Sequence, residues 1–226
     1  MSKGYFITGT DTGIGKTRAA LAIMAALQQR GLSVCGMKPV SAGCTPGAEG
    51  LTNDDAVKLI QQSSIALPYH AVNPYAWEAA IAPHIAAEQA GSKMTLPLIN
   101  ECYRQIARQC DVVIVEGAGG WLVPLNDQQS MADVAVDLVL DVILVVGIRL
   151  GCLNHALLTV ESIEHKGCRL AGWIANHLSE ATNVGQRNVA YLSRQIDAPL
   201  LATFTYQTPA ITDQLARELA IDALIG

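Results

Sequence analysis

Short apolar runs recur along the chain: YFIT at Tyr5–Thr8, VVIVE at Val112–Glu116, VILVVG at Val142–Gly147, LAGWIAN at Leu170–Asn176 and LLATF at Leu200–Phe204. Within them apolar residues are consecutive instead of alternating, which is the pattern of strands covered on both faces. Ser33–Met37 is a further strand candidate. Helical segments lie between the runs. Lys16–Arg30 is rich in Ala and Leu and stops at Gly31, while the segment from about Leu153 puts Leu153, Leu157 and Val160 on one face before Gly167. Strands that alternate with helices require crossover connections, so the expected fold is α/β, one mostly parallel sheet flanked by helices in a single domain over residues 1–226. Ser41–Asn53 and the proline-rich Leu67–Pro83 read as irregular. In an open sheet of this kind ligands sit beyond the carboxyl ends of the strands, so the loops after strands are where chemistry is expected.

Composition narrows the setting. A chain of 226 residues, half of them hydrophobic, is enough for one sheet with both faces covered. The net charge of −5 and the lack of a basic stripe argue against a nucleic-acid partner. Six cysteines without a C-x-x-C pair read as buried thiols of a reduced compartment, and five histidines show no zinc spacing. The longest apolar run, Val142–Ile148, is too short to span a bilayer, and MSKGYFITG holds no stretch of signal length. The expectation is a cytoplasmic protein with no membrane partner. Trp77, Trp121 and Trp173 read as packing.

The stretch GTDTGIGKT at Gly9–Thr17 comes after the first strand and opens the first helix, where a phosphate-binding loop belongs. It is one residue longer than the usual G-x-x-x-x-G-K-[ST], with Thr10 where the first glycine would stand. Glycines at 9, 13 and 15 let backbone amides turn inward, and the helix start adds about half a positive charge. Lys16 would reach the β and γ phosphate oxygens and Thr17 would offer its hydroxyl to Mg2+. A dinucleotide fingerprint fails, because its third glycine would fall on Arg18. Lys38, in MKPVSAG, is held extended by Pro39 and reads equally as a snorkelling surface lysine or as an electrostatic clamp. A charge pair at ~4 Å and an effective dielectric of 20 is worth roughly 4 kcal/mol. Glu116 ends a fully apolar strand, where an unpaired carboxylate is costly; Thr17, one Asp and Glu116 would suffice for Mg2+. Asp54–Asp55 reads as readily as a helix cap, and Asp11 as a turn residue.

Together these residues resemble the dethiobiotin synthetase family. The matching pieces are GTDTGIGKT at 9–17, KPV at 38–40, GLTNDDA at 50–56, VNPY at 72–75, APH at 82–84, VEGAGGW at 115–121, VVGIRLGCLNHALLT at 145–159, AGWIAN at 171–176 and APLL at 198–201. The resemblance implies ATP-dependent joining of 7,8-diaminopelargonate and CO2 into dethiobiotin through a carbamate and its phosphoric anhydride, in a homodimer with active sites at the subunit interface. It implies that Gly13, Ile14, Gly15, Lys16, Thr17 and Arg18 hold phosphates, that Thr17, Asp55 and Glu116 hold Mg2+, and that Lys38 and Lys16 are the catalytic lysines. Glu116, Gly117, Ala118 and Gly119 would line the ATP site and Asn176 would read the adenine. Ser41 would meet the substrate, whose carboxylate would go to Gly151, Cys152, Leu153, Asn154 and Tyr191 of the partner subunit. The chain departs from the family pattern at Ala42, where a hydroxyl is usual, at AAIAPH, and at FTYQTP (204–209), which replaces the usual base-recognition loop.

A P-loop switch ATPase of the partitioning or septum-site type is the alternative. That class carries a lysine early in its loop, where this chain has Thr10, Asp11 and Thr12. A GTPase would need N-K-x-D, which is absent, and an amidotransferase synthetase would need a further domain.

Overall fold

In the computed structural model, which describes residues 2–47, 50–180, 182–206 and 212–225, the elements run in the expected alternation. They are β1 (Lys3–Gly9), α1 (Lys16–Gln29), β2 (Val34–Met37), β3 (Val40–Ala42), β4 (Thr45–Gly47), β5 (Gly50–Thr52), α2 (Asp54–Gln62), α3 (Tyr69–Val72), β6 (Tyr75–Trp77) and α4 (Pro83–Gln89). The chain continues through α5 (Leu96–Ala107), β7 (Val112–Glu116), α6 (Met131–Asp137), β8 (Asp141–Ile148), α7 (Cys152–His165), β9 (Leu170–His177), α8 (Asn183–Gln195), β10 (Leu200–Phe204), α9 (Thr212–Glu218) and α10 (Asp222–Ile225).

A six-stranded sheet in the order β10-β9-β8-β1-β7-β2 forms the centre, and every pairing in it is parallel. Parallel strands leave both sheet faces to helices, which is why the apolar runs are continuous. Tyr5 and Ile7 of β1 face one way, onto α1, α9 and α10, and Phe6 faces the other, onto the layer of α5 and α6. A third cluster joins β8 and β9 to α7 and α8 around the fully buried Trp173. α1 ends as Gly31 takes a φ of 82° and donates its N–H to the Gln28 carbonyl.

The two stretches read as irregular are partly ordered. Thr45–Gly47 pairs antiparallel with Gly50–Thr52, and Val40–Ala42 pairs parallel with Tyr75–Trp77. Three-residue strands are too short to show a period, so the pairing that satisfies their backbone groups leaves no mark in the sequence. The cap of α2 also differs from the expectation. Asn53, and not the Asp54–Asp55 pair, accepts the N–H groups of Asp55 and Ala56, leaving both aspartates in the first turn, where the helix dipole favours carboxylates.

α2 lies against β2 through Gly36, where an added Cβ would stand 2.8 Å from the Leu59 Cβ. Gly36→Ala is therefore expected to destabilise the protein by about 1–3 kcal/mol, read as a lower urea midpoint at unchanged slope. A midpoint equal to wild type would show that α2 does not need this close approach.

Candidate functional site

β1, β7 and β2 are neighbours in the sheet, and the segments beyond their carboxyl ends enclose a cleft of about 730 Å3. After β1 comes the glycine-rich loop, whose backbone carries it back into α1 with no side-chain cap. Gly13 and Gly15 adopt φ of 71° and 92°, and a Cβ on Gly15 would collide with the Asn176 amide nitrogen. Glycine is thus required at Gly15 on two counts. The lengthened spacing is accommodated inside the loop: the Thr12 N–H bonds the Asp11 carboxylate at 2.7 Å, and the Lys16 ammonium donates to the Asp11 carbonyl at 2.9 Å. Asp11 also pairs with Arg149, the residue directly after β8. It is therefore more than the turn residue expected.

Glu116, at the end of β7, is 1% exposed. Its Oε1 accepts from the Lys38 ammonium at 2.5 Å and from the Thr17 hydroxyl at 2.9 Å, while Oε2 is buried with no partner among the described residues. Lys38 is 5% exposed and also reaches Asp55 Oδ2 at 3.3 Å and the Gly117 carbonyl at 3.4 Å. This resolves the two readings of Lys38: its ammonium is buried among carboxylates and does not snorkel.

Burial alone would lower the Lys38 pKa, but the Glu116 and Asp55 carboxylates outweigh it and hold the pKa above the ordinary lysine value. Asp55 is the mirror case. Burial opposes its charge, yet the Lys38 ammonium, by its charge and its hydrogen bond, brings the Asp55 pKa below the usual carboxylate value. Lys16 goes the other way. Desolvation and the neighbouring positive charge of Lys38 lower it to about 8, against the pull of Glu116, Asp55 and Asp11. One lysine is locked as a cation and the other is short of negative charge.

The arrangement fits a phosphate chain with a hard divalent cation. Among the described residues the Lys16 ammonium meets a backbone carbonyl and forms no ion pair, the loop amides lead into a helix start, and Glu116 keeps an orphaned carboxylate oxygen while its other oxygen meets the Thr17 hydroxyl. Among the described residues no three His, Cys, Asp or Glu side chains cluster as a metal site. Mg2+ keeps several waters, so Thr17, Asp55 and Glu116 are donors enough. A larger hollow, about 940 Å3, lies at the opposite end of the sheet by Tyr103, Arg108 and Leu138 and gathers no such set.

Among the other expected residues, Gly13, Gly15, Lys16, Thr17, Ala118 and Gly119 line the cleft, as do Ser41 and Ala42. The Ser41 hydroxyl, however, donates to Asn73 Oδ1 at 2.7 Å and the residue is 2% exposed. Asn176 braces the loop. Its Nδ2 donates to the Ile14 carbonyl at 2.7 Å and its Oδ1 accepts from Arg18 at 2.9 Å, which leaves one N–H and one lone pair of the amide with which to read a base. Arg18 also bonds the Thr205 carbonyl and stacks over Phe204, 5.2 Å from the ring centroid. The remainder of the expected base-recognition segment, 207–209, lies outside the described residues.

Gly151, Cys152, Leu153 and Asn154 start α7, and Tyr191 sits on α8 with Arg194 over its ring; none of them lines the cleft within one chain. Sequence reading gave no role to Asn53, Tyr69 or Asn73, or to Ala80 and Ile81, which also line the cleft. Asn53 lies inside GLTNDDA, Asn73 inside VNPY and Ala80 and Ile81 inside AAIAPH, whereas Tyr69 stands in no recognisable stretch.

Residues 3–213 match a family model described as an AAA domain. A protein of Cellvibrio japonicus named ATP-dependent dethiobiotin synthetase BioD is 48% identical over 223 residues, covering 99% of this chain and 98% of that protein. One of the same name from Nitrosospira multiformis is 46% identical over 206 residues, covering 91% and 89%. Among solved structures, the MinC:MinD cell division complex of Aquifex aeolicus aligns with a TM-score of 0.58 at 15% identity, covering 97% of this chain and 88% of that one. A ParA family ATPase from Chlorobium tepidum aligns with 0.58 at 13%, covering 99% and 93%. These last two share the fold.

A triphosphate beside Lys16 would supply the negative charge that its surroundings lack and would raise its pKa above 8. Binding of ATP near pH 8.5 is therefore expected to take up a fraction of a proton, since the free chain holds Lys16 partly neutral there. Calorimetry in buffers of different ionisation enthalpy reads this directly, and Lys16→Arg should abolish it. Binding without proton uptake in the wild type would contradict the assignment.

Proposed function

We infer the workings of the site from one premise: the chain belongs to the family of ATP-dependent dethiobiotin synthetases. It is an ATP-dependent ligase that closes the ureido ring of dethiobiotin from 7,8-diaminopelargonate and CO2, acting as one P-loop α/β domain. The observation that carries the residue assignment is the convergence of Lys16, Thr17, Lys38, Asp55 and Glu116 beyond three adjacent strand ends.

The chemistry explains why these groups are needed. A carbamate formed from one substrate amine and CO2 attacks the γ-phosphorus of ATP, and ADP leaves. The second amine then attacks the carbamoyl carbon, phosphate leaves, and the ring is closed. The first step brings two anions together, which calls for concentrated positive charge. Lys16 and the amides of Gly13–Arg18 hold the phosphates, and Lys38 faces the carbamate and the transferring phosphoryl oxygens. Thr17, Asp55 and Glu116 hold Mg2+, which neutralises phosphate charge when bound. The second step needs mainly positioning, a contribution of roughly 7–11 kcal/mol. No side-chain nucleophile is required.

A homodimer accounts for the remaining residues. Leu150 is 100% exposed, Leu158 56%, Val184 67% and Tyr191 39%, apolar side chains on or just before α7 and α8. A second copy seated there would cover them and bring Gly151–Asn154 and Tyr191 to the partner's cleft. Free thiols at all six cysteines support a reducing, cytoplasmic setting.

Purified protein supplied with ATP, Mg2+, bicarbonate and 7,8-diaminopelargonate should form dethiobiotin, detected by mass spectrometry. ATP turnover indifferent to the diamine would sink this reading and favour a switch ATPase.

Lys38→Met strands Glu116 as a buried charge without its lysine. It should cost about 3–5 kcal/mol of stability as well as activity. The double variant Lys38→Met/Glu116→Gln should regain most of that stability and remain at least about a hundredfold down in kcat. Recovery of turnover in the double variant would remove Lys38 from the chemistry.

A further inference from the structure

Asn73 comes directly after α3, is 3% exposed, and uses every hydrogen-bonding position of its amide. Its Nδ2 donates to the Lys38 carbonyl at 2.6 Å and to the Tyr75 carbonyl at 3.2 Å. Its Oδ1 accepts from the Ser41 hydroxyl at 2.7 Å and from the Tyr69 hydroxyl at 2.8 Å. The two carbonyls demand a donor on their side, which fixes the amide's orientation. The Tyr69 hydroxyl in turn accepts the Asn53 N–H at 2.8 Å, and Asn53 Oδ1 caps α2 through the N–H groups of Asp55 and Ala56. Lys38 is gripped at its other main-chain group too, because its N–H donates to the Val72 carbonyl at 2.9 Å. The bonds thus run from the main chain of Lys38 to the turn that carries Asp55, whose carboxylate meets the Lys38 ammonium at 3.3 Å.

We propose that Asn73 and Tyr69 are positioning residues for the ring-closing reaction, a relay of hydrogen bonds that holds Lys38 and Asp55 in one register. The relay rests on the ligase reading of the cleft and extends it to residues that touch neither phosphate nor metal. A purely local role for Asn73, satisfying the bend between α3 and β6, would need only its bonds to Tyr69 and Tyr75. Its other two bonds go to Lys38 and Ser41, on the segment that follows β2. Lys38 sits between strands and α2 is joined to the sheet by loops, so neither is held in register by the ladder itself. A long side chain on a short connection transmits any backbone shift to its ammonium, and displacements of about 1 Å at a reacting centre cost about a hundredfold.

The test compares wild type, Tyr69→Phe, Asn73→Asp and Tyr75→Phe in the full chain. Tyr69→Phe is expected to lower kcat about tenfold and Asn73→Asp about a hundredfold, with the KM for ATP within about twofold in both. Tyr75→Phe loses the hydroxyl that bonds Thr95, outside the relay. It should lower the melting temperature about as much as Tyr69→Phe and keep full kcat. A readout without turnover is the nitrogen NMR signal of the Lys38 ammonium in lysine-labelled, ligand-free protein, which should move in Tyr69→Phe and stay in Tyr75→Phe. If wild type forms no dethiobiotin, the functional reading falls while the NMR comparison still decides the relay. If wild type is active and Tyr69→Phe keeps kcat, or Tyr75→Phe loses as much, the relay is overturned.

Discussion

The buried ion pair between Lys38 and Glu116 is the constraint to which the rest of the site is fitted. Taking both charges out of water costs several kcal/mol for each, and only good geometry with further hydrogen bonds returns it. Here the returns are visible as the 2.5 Å contact, the Thr17 hydroxyl on the same oxygen, and Asp55 on the far side of the ammonium. Each of those groups comes from a different element: α1, α2, the end of β7 and the connection after β2. The pair can exist only if β1, β7 and β2 are neighbours, so the strand order and the site imply one another.

That pair also divides the labour between the two lysines. Lys38 is surrounded by carboxylates and stays a cation, whereas Lys16, close to Lys38 and turned toward a backbone carbonyl, is lowered to about 8. The cleft is thus nearly neutral as it stands and becomes attractive to an anion at the loop, not at Lys38. Directed charge of this kind explains how a chain of net charge −5 can receive a polyanion.

The central strands and α1 were legible because a parallel sheet demands continuous apolar runs, and Val112–Glu116 and Leu200–Phe204 match to the residue. Glu116 was legible for the related reason that a carboxylate ending such a run needs a partner. Lys38 was ambiguous, since nothing local distinguishes a buried ammonium from a snorkelling one; its burial depends on α2 and β7, distant in sequence. The Asn53, Tyr69 and Asn73 network was silent for the same cause. Its members are ordinary cap and turn residues whose meaning lies in which backbone groups they meet. Ser41 shows the limit from the other side, because the bond that holds its hydroxyl is made to Asn73, 32 positions further along the chain.

Fold similarity by itself would have left two functions open. The cell-division complex and the ParA family chain share this sheet at 13–15% identity, which speaks for architecture alone. What separates the readings is the placement of charge on that architecture. A switch needs to sense the presence of phosphate and move, and a lysine held by two carboxylates and at both of its main-chain groups is ill suited to moving. A ligase that must hold a carbamate, a phosphoryl group and an amine in line gains from that same rigidity, because its second step depends on position more than on any reactive side chain. The saturated bonding around Lys38, from its ammonium to both of its main-chain groups, favours the ligase on physical grounds that do not depend on sequence identity.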